Sequence, residues 1–145
     1  MISFYLRSMD TENSLCCGKQ IKILVVDDDA DNLILLTYQL SQFLNCTVLS
    51  ATDGNSALEL VDRESPNLIL LDVMMPDLDG LEVARRLKGN LNTATIPLIA
   101  VTAMARVQDQ EMAIAAGFDD FLRKPYEIET LIATIRRFLR IPCFS

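Results

Sequence analysis

The sequence predicts an α/β fold in which a five-stranded parallel sheet carries helices on both faces. Two observations lead to this prediction. Short apolar runs, several rich in β-branched residues, alternate with longer segments whose apolar residues recur at helical spacing. Each strand-like run is followed by a helix-like segment, and such units wind right-handedly into a doubly covered parallel sheet.

Five short runs have the length and composition of strands. Residues 21–26 form a β-branched run that ends abruptly at three aspartates, and residues 68–71 form the most apolar run. The five predicted strands cover residues 21–26, 47–50, 68–71, 97–101 and 120–123.

Five helices alternate with these strands, and the last is the most clearly amphipathic. Asp79 is predicted to cap the third helix and Gly117 to end the fourth, while Pro142 stops the fifth. The helix-spaced apolar residues are Leu33, Leu36, Leu40 and Phe43; then Ala57, Leu58 and Val61; then Leu81, Ala84 and Leu87; then Met112, Ala115 and Ala116; and finally Ile128, Leu131, Ile132, Ile135, Phe138 and Leu139.

The length of 145 residues fits one domain. Residues 1–19 lack periodicity and are predicted to be a flexible lead-in, with Met9 as an alternative start. The domain is predicted to cover residues 20–141, and residues 142–145 form a short tail. No apolar run approaches the roughly 18 to 20 residues of a membrane helix, and the N-terminus lacks a signal-peptide core, so we expect a cytoplasmic protein.

Charge and cysteine content exclude several classes of site. A net charge of -7 argues against direct binding to nucleic acid or to an anionic membrane, because both require a positive surface. The chain has no histidine, and its four cysteines form no C-x-x-C pair. A zinc site or a disulfide framework is therefore not expected, and Cys46 is predicted to be a buried free thiol.

Polar residues follow the predicted strands at the points where the strands end. Asp27 and Asp28 follow the first strand, Asp72 the third, Thr102 ends the fourth, and Lys124 follows the fifth. If the first and third strands are neighbours, as in the order 2-1-3-4-5, the carboxylates converge at one edge of the sheet. Clustered carboxylates repel one another, and a hard cation such as Mg²⁺ offsets that repulsion. Each aspartate alone could equally be a simple strand-end or helix-cap residue.

Asp72 emerges directly from the most apolar strand, where a carboxylate can act as a nucleophile and form an acyl phosphate. Lys124 precedes Pro125, so its ammonium is a candidate partner for Asp72 or for a phosphate. The Thr102 hydroxyl can donate to a phosphate oxygen, and the small Ala103 beside it leaves room for the group to enter.

The order of these residues resembles the receiver domain of two-component response regulators, over residues 21–139. The matching stretches are residues 23–29 (ILVVDDD), 70–76 (LLDVMMP), 79–80 (DG), 101–103 (VTA) and 121–125 (FLRKP). The resemblance implies a flavodoxin-like, doubly wound sheet of order 2-1-3-4-5. It also implies Mg²⁺, for which Mn²⁺ can substitute, as the cofactor.

The resemblance assigns a role to each site residue. It implies that Asp72 is the phosphoacceptor and that Asp27 and Asp28 are the acidic pair. Within that pair, Asp28 would bind the metal directly and Asp27 largely through water. Met74 would supply a main-chain carbonyl to the metal, and Lys124 would bind the phosphate. The neighbouring Asp29 is expected to face solvent or to cap a helix.

The resemblance also implies a switch rather than an enzyme, although one that assists its own phosphorylation and dephosphorylation. Thr102 would be the hydroxyl switch residue, and Phe121 the aromatic residue that swings inward when Thr102 moves. Phe121 lacks the phenol hydroxyl of the commoner tyrosine, and it could be a packed core residue. The implied partners are a histidine kinase or histidine phosphotransfer protein and a downstream protein bound by the face of helix four, strand five and helix five; a homodimer is a further candidate.

Three alternatives remain open from the sequence. A phosphatase of the haloacid dehalogenase type would need an acid two residues beyond Asp72, where this chain has Met74. A nucleotide- or flavin-binding module would need glycines after the first strand, where this chain has aspartates. The third alternative is a receiver segment excised from a hybrid kinase or a larger regulator.

Overall fold

The computed structural model describes residues 21–75, 79–103 and 106–139, in which five strands alternate with five helices. The elements are β1 (Ile21–Val26), α1 (Ala30–Phe43), β2 (Cys46–Ala51), α2 (Gly54–Glu64), β3 (Leu68–Leu71), α3 (Gly80–Lys88), β4 (Leu98–Thr102), α4 (Val107–Ala116), β5 (Asp120–Arg123) and α5 (Ile128–Leu139).

The five strands form one sheet in the order β2-β1-β3-β4-β5, and all paired strands are parallel. Both the predicted fold class and the predicted strand order are confirmed. In the register of β1 and β3, Val26 lies opposite Leu71, so the next residues, Asp27 and Asp72, leave the sheet at the same level.

Two apolar clusters, one on each face of the sheet, form the core. Alternate residues of the central strands supply the two clusters because successive strand side chains point to opposite faces. In β1, Leu24 packs with α2, α3 and α4, whereas Ile23 packs with α1 and α5. The central strands β3 and β4 are buried along their whole length, as is expected of a sheet covered on both sides.

Two helices begin or end at the capping residues that the sequence predicts. The Asp79 carboxylate accepts a hydrogen bond from the Glu82 amide at the start of α3, and Asp29 caps α1 in the same way. Gly117 ends α4 with a φ of 115°, a left-handed conformation that suits glycine. The predicted caps at Asp79 and Gly117 are therefore confirmed, and Asp29 proves to be a helix cap.

Several local predictions are corrected. Strands β2 and β4 are shifted or extended by a residue, to 46–51 and 98–102. Phe43 and Met112 lie on their helices but are exposed, so neither belongs to the core. Cys46 is only partly buried because it begins the edge strand β2, although its surroundings still raise the pKa of its thiol to about 11 through desolvation.

The predicted lead-in (residues 1–19) and tail (142–145) lie outside the described residues, as does Pro142, so the domain bounds remain predictions. Within the described ranges, no helix combines the length and the apolar character that crossing a membrane requires.

Candidate functional site

The site lies at the carboxyl edge of the sheet, where β1 and β3 end side by side. Main-chain hydrogen bonds continue the ladders one residue past the strands: the Asp72 amide donates to the Val26 carbonyl at 3.0 Å, and the Asp27 amide donates to the Ala51 carbonyl at 3.2 Å. The backbone that carries both aspartates is therefore held by the sheet, which fixes where their carboxylates emerge.

The two strand ends bring three carboxylates together. Oxygens of Asp27, Asp28 and Asp72 all lie within 4.8 Å of one another. Asp27 and Asp72 are buried, whereas Asp28 is exposed at the mouth of the cluster. A donor set made only of carboxylate oxygens suits a hard divalent cation, so these residues fit Mg²⁺.

Lys124 supplies the positive charge that faces this cluster. Its Nζ lies 2.9 Å from Oδ2 of Asp27 and 3.4 Å from Oδ2 of Asp72. Burial alone would lower the pKa of the ammonium, but the hydrogen bond to Asp27 and the charge of Asp72 outweigh that effect and raise the pKa. The lysine therefore stays charged at neutral pH. The peptide bond between Lys124 and Pro125 is cis.

Asp27 and Asp72 differ in the hydrogen bonds that their carboxylate oxygens accept. Asp27 accepts from the Asp29 amide at 2.9 Å and from Nδ2 of Asn32 at 3.5 Å, in addition to Lys124. Asp72 accepts from the Met74 amide at 2.9 Å. Desolvation raises the pKa of the Asp72 carboxyl, and the Met74 amide and the Lys124 charge oppose that rise only in part. Asp72 therefore carries its negative charge at an energetic cost.

The remaining predicted residues surround this cluster. Thr102 is fully buried at the end of β4, and its carbonyl accepts a hydrogen bond from the Lys124 amide at 2.8 Å. Phe121 pairs in register with Ala100, two residues before Thr102, so it lies on the same side of the sheet as Thr102 and is partly buried. The Met74 side chain is exposed, so its main chain, rather than its side chain, is the group held beside Asp72.

Sequence patterns did not reveal two features of the site. Asn32, in the first turn of α1, lies against Asp27, and its place one turn into the helix after β1 is the signal that could have identified it. A cavity of about 480 Å³ also lies between α1 and the segment that follows β5. Leu35, Leu36 and Tyr126 line this cavity together with Asp27 and Lys124.

The chain was compared with protein families, with curated proteins and with solved structures, and the matches agree with one another. The family model described as the response regulator receiver domain matches residues 23–136. The response regulator MprA of Mycobacterium leprae (strain TN) is 43% identical over 120 residues, which are 83% of this chain and 51% of that protein. An uncharacterized 14.6 kDa protein in the sodA1 3′ region of Leptolyngbya boryana is 40% identical over 119 residues, covering 82% of this chain and 90% of that protein. The chain thus spans about half the length of several curated relatives that it matches.

A solved structure shares the fold. The receiver domain of a sensor histidine kinase from Pseudomonas aeruginosa superposes with a TM-score of 0.77 and 30% identity, covering 84% of this chain and 99% of that one. That structure is described with a magnesium ion coordinated in its active-site cleft.

Proposed function

Because this chain belongs to the response regulator receiver domain family, we propose that it is a phosphorylation switch in which Asp72 accepts the phosphoryl group. One observation carries the proposal: Asp72 shares a cluster 4.8 Å across with Asp27 and Asp28, and Lys124 lies 3.4 Å from its carboxylate. The phosphoryl donor would be a histidine kinase or a histidine phosphotransfer protein.

The chemistry is transfer of a phosphoryl group to a carboxylate. An oxygen of Asp72 forms a bond to phosphorus, and the bond from phosphorus to the donor's imidazole nitrogen breaks, which leaves the donor histidine neutral after it regains a proton. In the metal-free site, desolvation raises the pKa of the Asp72 carboxyl, so its negative charge is poorly compensated before a cation binds. Asp28, Asp72 and the Met74 carbonyl would hold Mg²⁺, which offsets negative charge on the transferring group.

Asp27 differs from Asp28 in this proposal. Its oxygens already accept hydrogen bonds from Lys124, Asn32 and the Asp29 amide. These contacts support a role in which Asp27 orients Lys124 and acts on the cation through water. Asp28 is exposed and lies at the mouth of the cluster, which supports direct coordination of the cation by this residue.

Lys124 and Thr102 would bind the new phosphoryl oxygens. The Lys124 ammonium lies between two carboxylates and is close enough to Asp72 to neutralise added charge there. The Lys124 amide donates a main-chain hydrogen bond to the Thr102 carbonyl. A displacement of either residue would therefore move the ends of both β4 and β5. Phe121 on β5 would follow Thr102, and the face of α4, β5 and α5 would change its affinity for a downstream protein or for a second copy of the chain.

The test of the acceptor is labelling with acetyl phosphate in the presence of Mg²⁺. Wild-type chain should gain one phosphoryl group per molecule that is labile in acid and in base, as an acyl phosphate is, and Asp72→Asn should gain none because an amide does not act as the nucleophile. Asp53→Asn is the matched control, since Asp53 caps α2 and is not one of the three clustered carboxylates. Full labelling of the Asp72 variant would contradict the proposal.

A further inference from the structure

The cavity between α1 and the segment after β5 reaches the side chains of the sheet. Val25, Leu70 and Val101, buried residues of the neighbouring strands β1, β3 and β4, line it. Leu35 and Ala103 also line it, and both are exposed, so the cavity is open to solvent as well. Protein interiors are close-packed, and spaces larger than a water molecule are few. A space that extends from solvent to core side chains is therefore a candidate binding site.

The volume and the lining of this cavity are typical of small-molecule sites. Its volume of about 480 Å³ lies within the roughly 300 to 1,000 Å³ of ligand pockets, which are mostly apolar with a few polar groups. Most of its lining side chains are aliphatic, and the half-buried Tyr126 adds an aromatic ring. Burial raises the pKa of the Tyr126 phenol, so this side chain is uncharged at neutral pH. The polar lining residues are Asp27, Asn32, Gln39 and Lys124.

Lys124 provides a hydrogen-bond donor in the wall of the cavity. An ammonium group has three N–H donors. Among the described residues, the carboxylates of Asp27 and Asp72 accept from Nζ of Lys124 at 2.9 Å and 3.4 Å. These two bonds leave the third N–H for a further acceptor, such as a carbonyl or hydroxyl oxygen of a bound molecule.

The charges beside the cavity disfavour an ionic ligand. Two carboxylates, those of Asp27 and Asp72, lie within 3.4 Å of the one ammonium of Lys124, so this group of side chains carries excess negative charge. An anion would be repelled by that charge. A cation would lose its hydration among the aliphatic side chains that form most of the lining. An uncharged molecule avoids both penalties.

We infer that this cavity binds an uncharged apolar molecule, with an aromatic or alicyclic body, whose carbonyl or hydroxyl oxygen accepts a hydrogen bond from Lys124. The inference goes beyond the proposed function and does not rest on it, because the cavity would bind such a molecule whether or not Asp72 accepts a phosphoryl group. A molecule bound there would contact the ion pair between Lys124 and Asp27.

The experiment is a titration of the full chain with benzophenone, an uncharged diaryl ketone, in EDTA. The methyl NMR signals of Leu36 and Val101 should shift saturably, with half-saturation at about 1 mM or below, as is expected for a ligand of this size. The nitrogen NMR signal of the Lys124 ammonium should shift in the same titration. The anion 4-benzoylbenzoate, which adds a carboxylate to the same skeleton, should bind at least about tenfold more weakly.

Leu35→Ala and Ile34→Ala are a matched pair of variants. Both residues are exposed on α1, at 56% and 69%, and alanine is the residue that helices favour most, so neither change should unfold the chain. Leu35 lines the cavity, whereas Ile34 is not among its lining residues. Leu35→Ala should therefore weaken benzophenone binding by about three- to tenfold through loss of apolar contact, and Ile34→Ala should leave it unchanged.

Four results would each overturn the inference: no saturable shift at the cavity methyl groups, an unchanged Lys124 signal, equal losses of affinity in the two variants, or equally tight binding of 4-benzoylbenzoate. Labelling of the same preparation with acetyl phosphate and Mg²⁺ tests the proposed function separately. Failure of the labelling would therefore leave the cavity inference standing, and failure of the titration would leave the proposed function standing.

Discussion

At the scale of single residues, the site brings two buried carboxylates together with one ammonium group. Asp27 and Asp72 are both buried, and one ammonium, that of Lys124, lies between them. Lys124 lies closer to Asp27 than to Asp72, so Asp72 is the less fully compensated of the two. Desolvation is the largest cause of the raised pKa of Asp72, and the Met74 amide and the Lys124 charge oppose it only in part.

A change in stability should follow from the raised Asp72 pKa. A carboxyl whose pKa is higher in the folded chain than in the unfolded chain binds its proton more tightly when folded, so its ionised form destabilises the fold at higher pH. Asp72→Asn should therefore raise the melting temperature at pH 7 in EDTA, by an amount on the order of a few degrees. The difference should shrink as the pH falls through the Asp72 pKa, where the wild-type carboxyl becomes neutral.

Thermal unfolding followed by circular dichroism measures this effect. Mg²⁺ should raise the melting temperature of the wild type more than that of the variant, because the variant lacks one carboxylate of the cluster. Asp53→Ala is a useful control of opposite sign, since loss of a helix cap should lower stability by about 1 kcal/mol. A variant at position 72 that melts below the wild type in EDTA would show that Asp72 is not under electrostatic strain.

The sequence allowed the site's charged residues to be predicted, but not their contacts. Asp27, Asp28, Asp72 and Lys124 stand out because each interrupts or follows an apolar strand, and strand ends meet at one edge of the sheet. The preference of Lys124 for Asp27 could not be predicted, because it depends on differences of half an ångström. Roles for Met74, Thr102 and Phe121 came from family resemblance and remain predictions.

At the scale of secondary structure elements, the start of α3 is packed directly against the backbone of the site. A Cβ atom at Gly80 would lie 2.6 Å from the Asp72 carbonyl oxygen and 2.6 Å from Cα of Val73. The Gly80 amide also donates to the Val73 carbonyl at 3.0 Å. Only glycine allows α3 to begin so close to the segment that carries Asp72.

Gly80→Ala should consequently disturb both the fold and the site. The backbone must move to admit the methyl group, which should lower stability by about 1–3 kcal/mol and weaken Mg²⁺ binding. Gly117→Ala is the matched control, because its added Cβ meets the Lys88 side chain at a left-handed position away from the cluster. Chemical denaturation and Mg²⁺ titration together separate the two effects. Equal Mg²⁺ affinity in both variants would show that Gly80 does not position Asp72.

Helices could be predicted where their apolar faces are large, and less well where they are small. The stripe of α5 was predicted correctly, because Leu131, Ile132 and Ile135 are all buried. For α4 the presence of a helix was predicted, but Met112 proved exposed and Asp109 buried. Residue size along α4 gives no guide to its inward face, since the side chains that face the sheet are alanines and an ion-paired aspartate.

At the scale of the whole molecule, the two faces of the sheet support the site differently. On one face α1 and α5 pack on β1, β3 and β4, and on the other α2, α3 and α4 do so. Asp72 follows β3 and Thr102 ends β4, both at the carboxyl edge of the sheet. The proposed switch therefore acts at the edge of the sheet, whereas the central strands β3 and β4 are buried along their whole length.

The binding partners of this domain also remain proposals. The described residues place exposed apolar side chains of α4 beside β5, which supports a protein as the downstream partner. The expectation that these 145 residues do not contact nucleic acid directly rests on their net negative charge and remains a prediction. It does not extend to the parts of longer relatives that this chain does not match.

Locating the phosphoryl group by mass spectrometry tests the central claim most directly. The full chain is treated with acetyl phosphate and Mg²⁺, the acyl phosphate is reduced with borohydride, and the digested peptides are sequenced. We predict that Asp72 alone is converted, and that EDTA abolishes the conversion. Conversion of Asp27 or Asp28 in place of Asp72, or undiminished conversion in EDTA, would contradict the account.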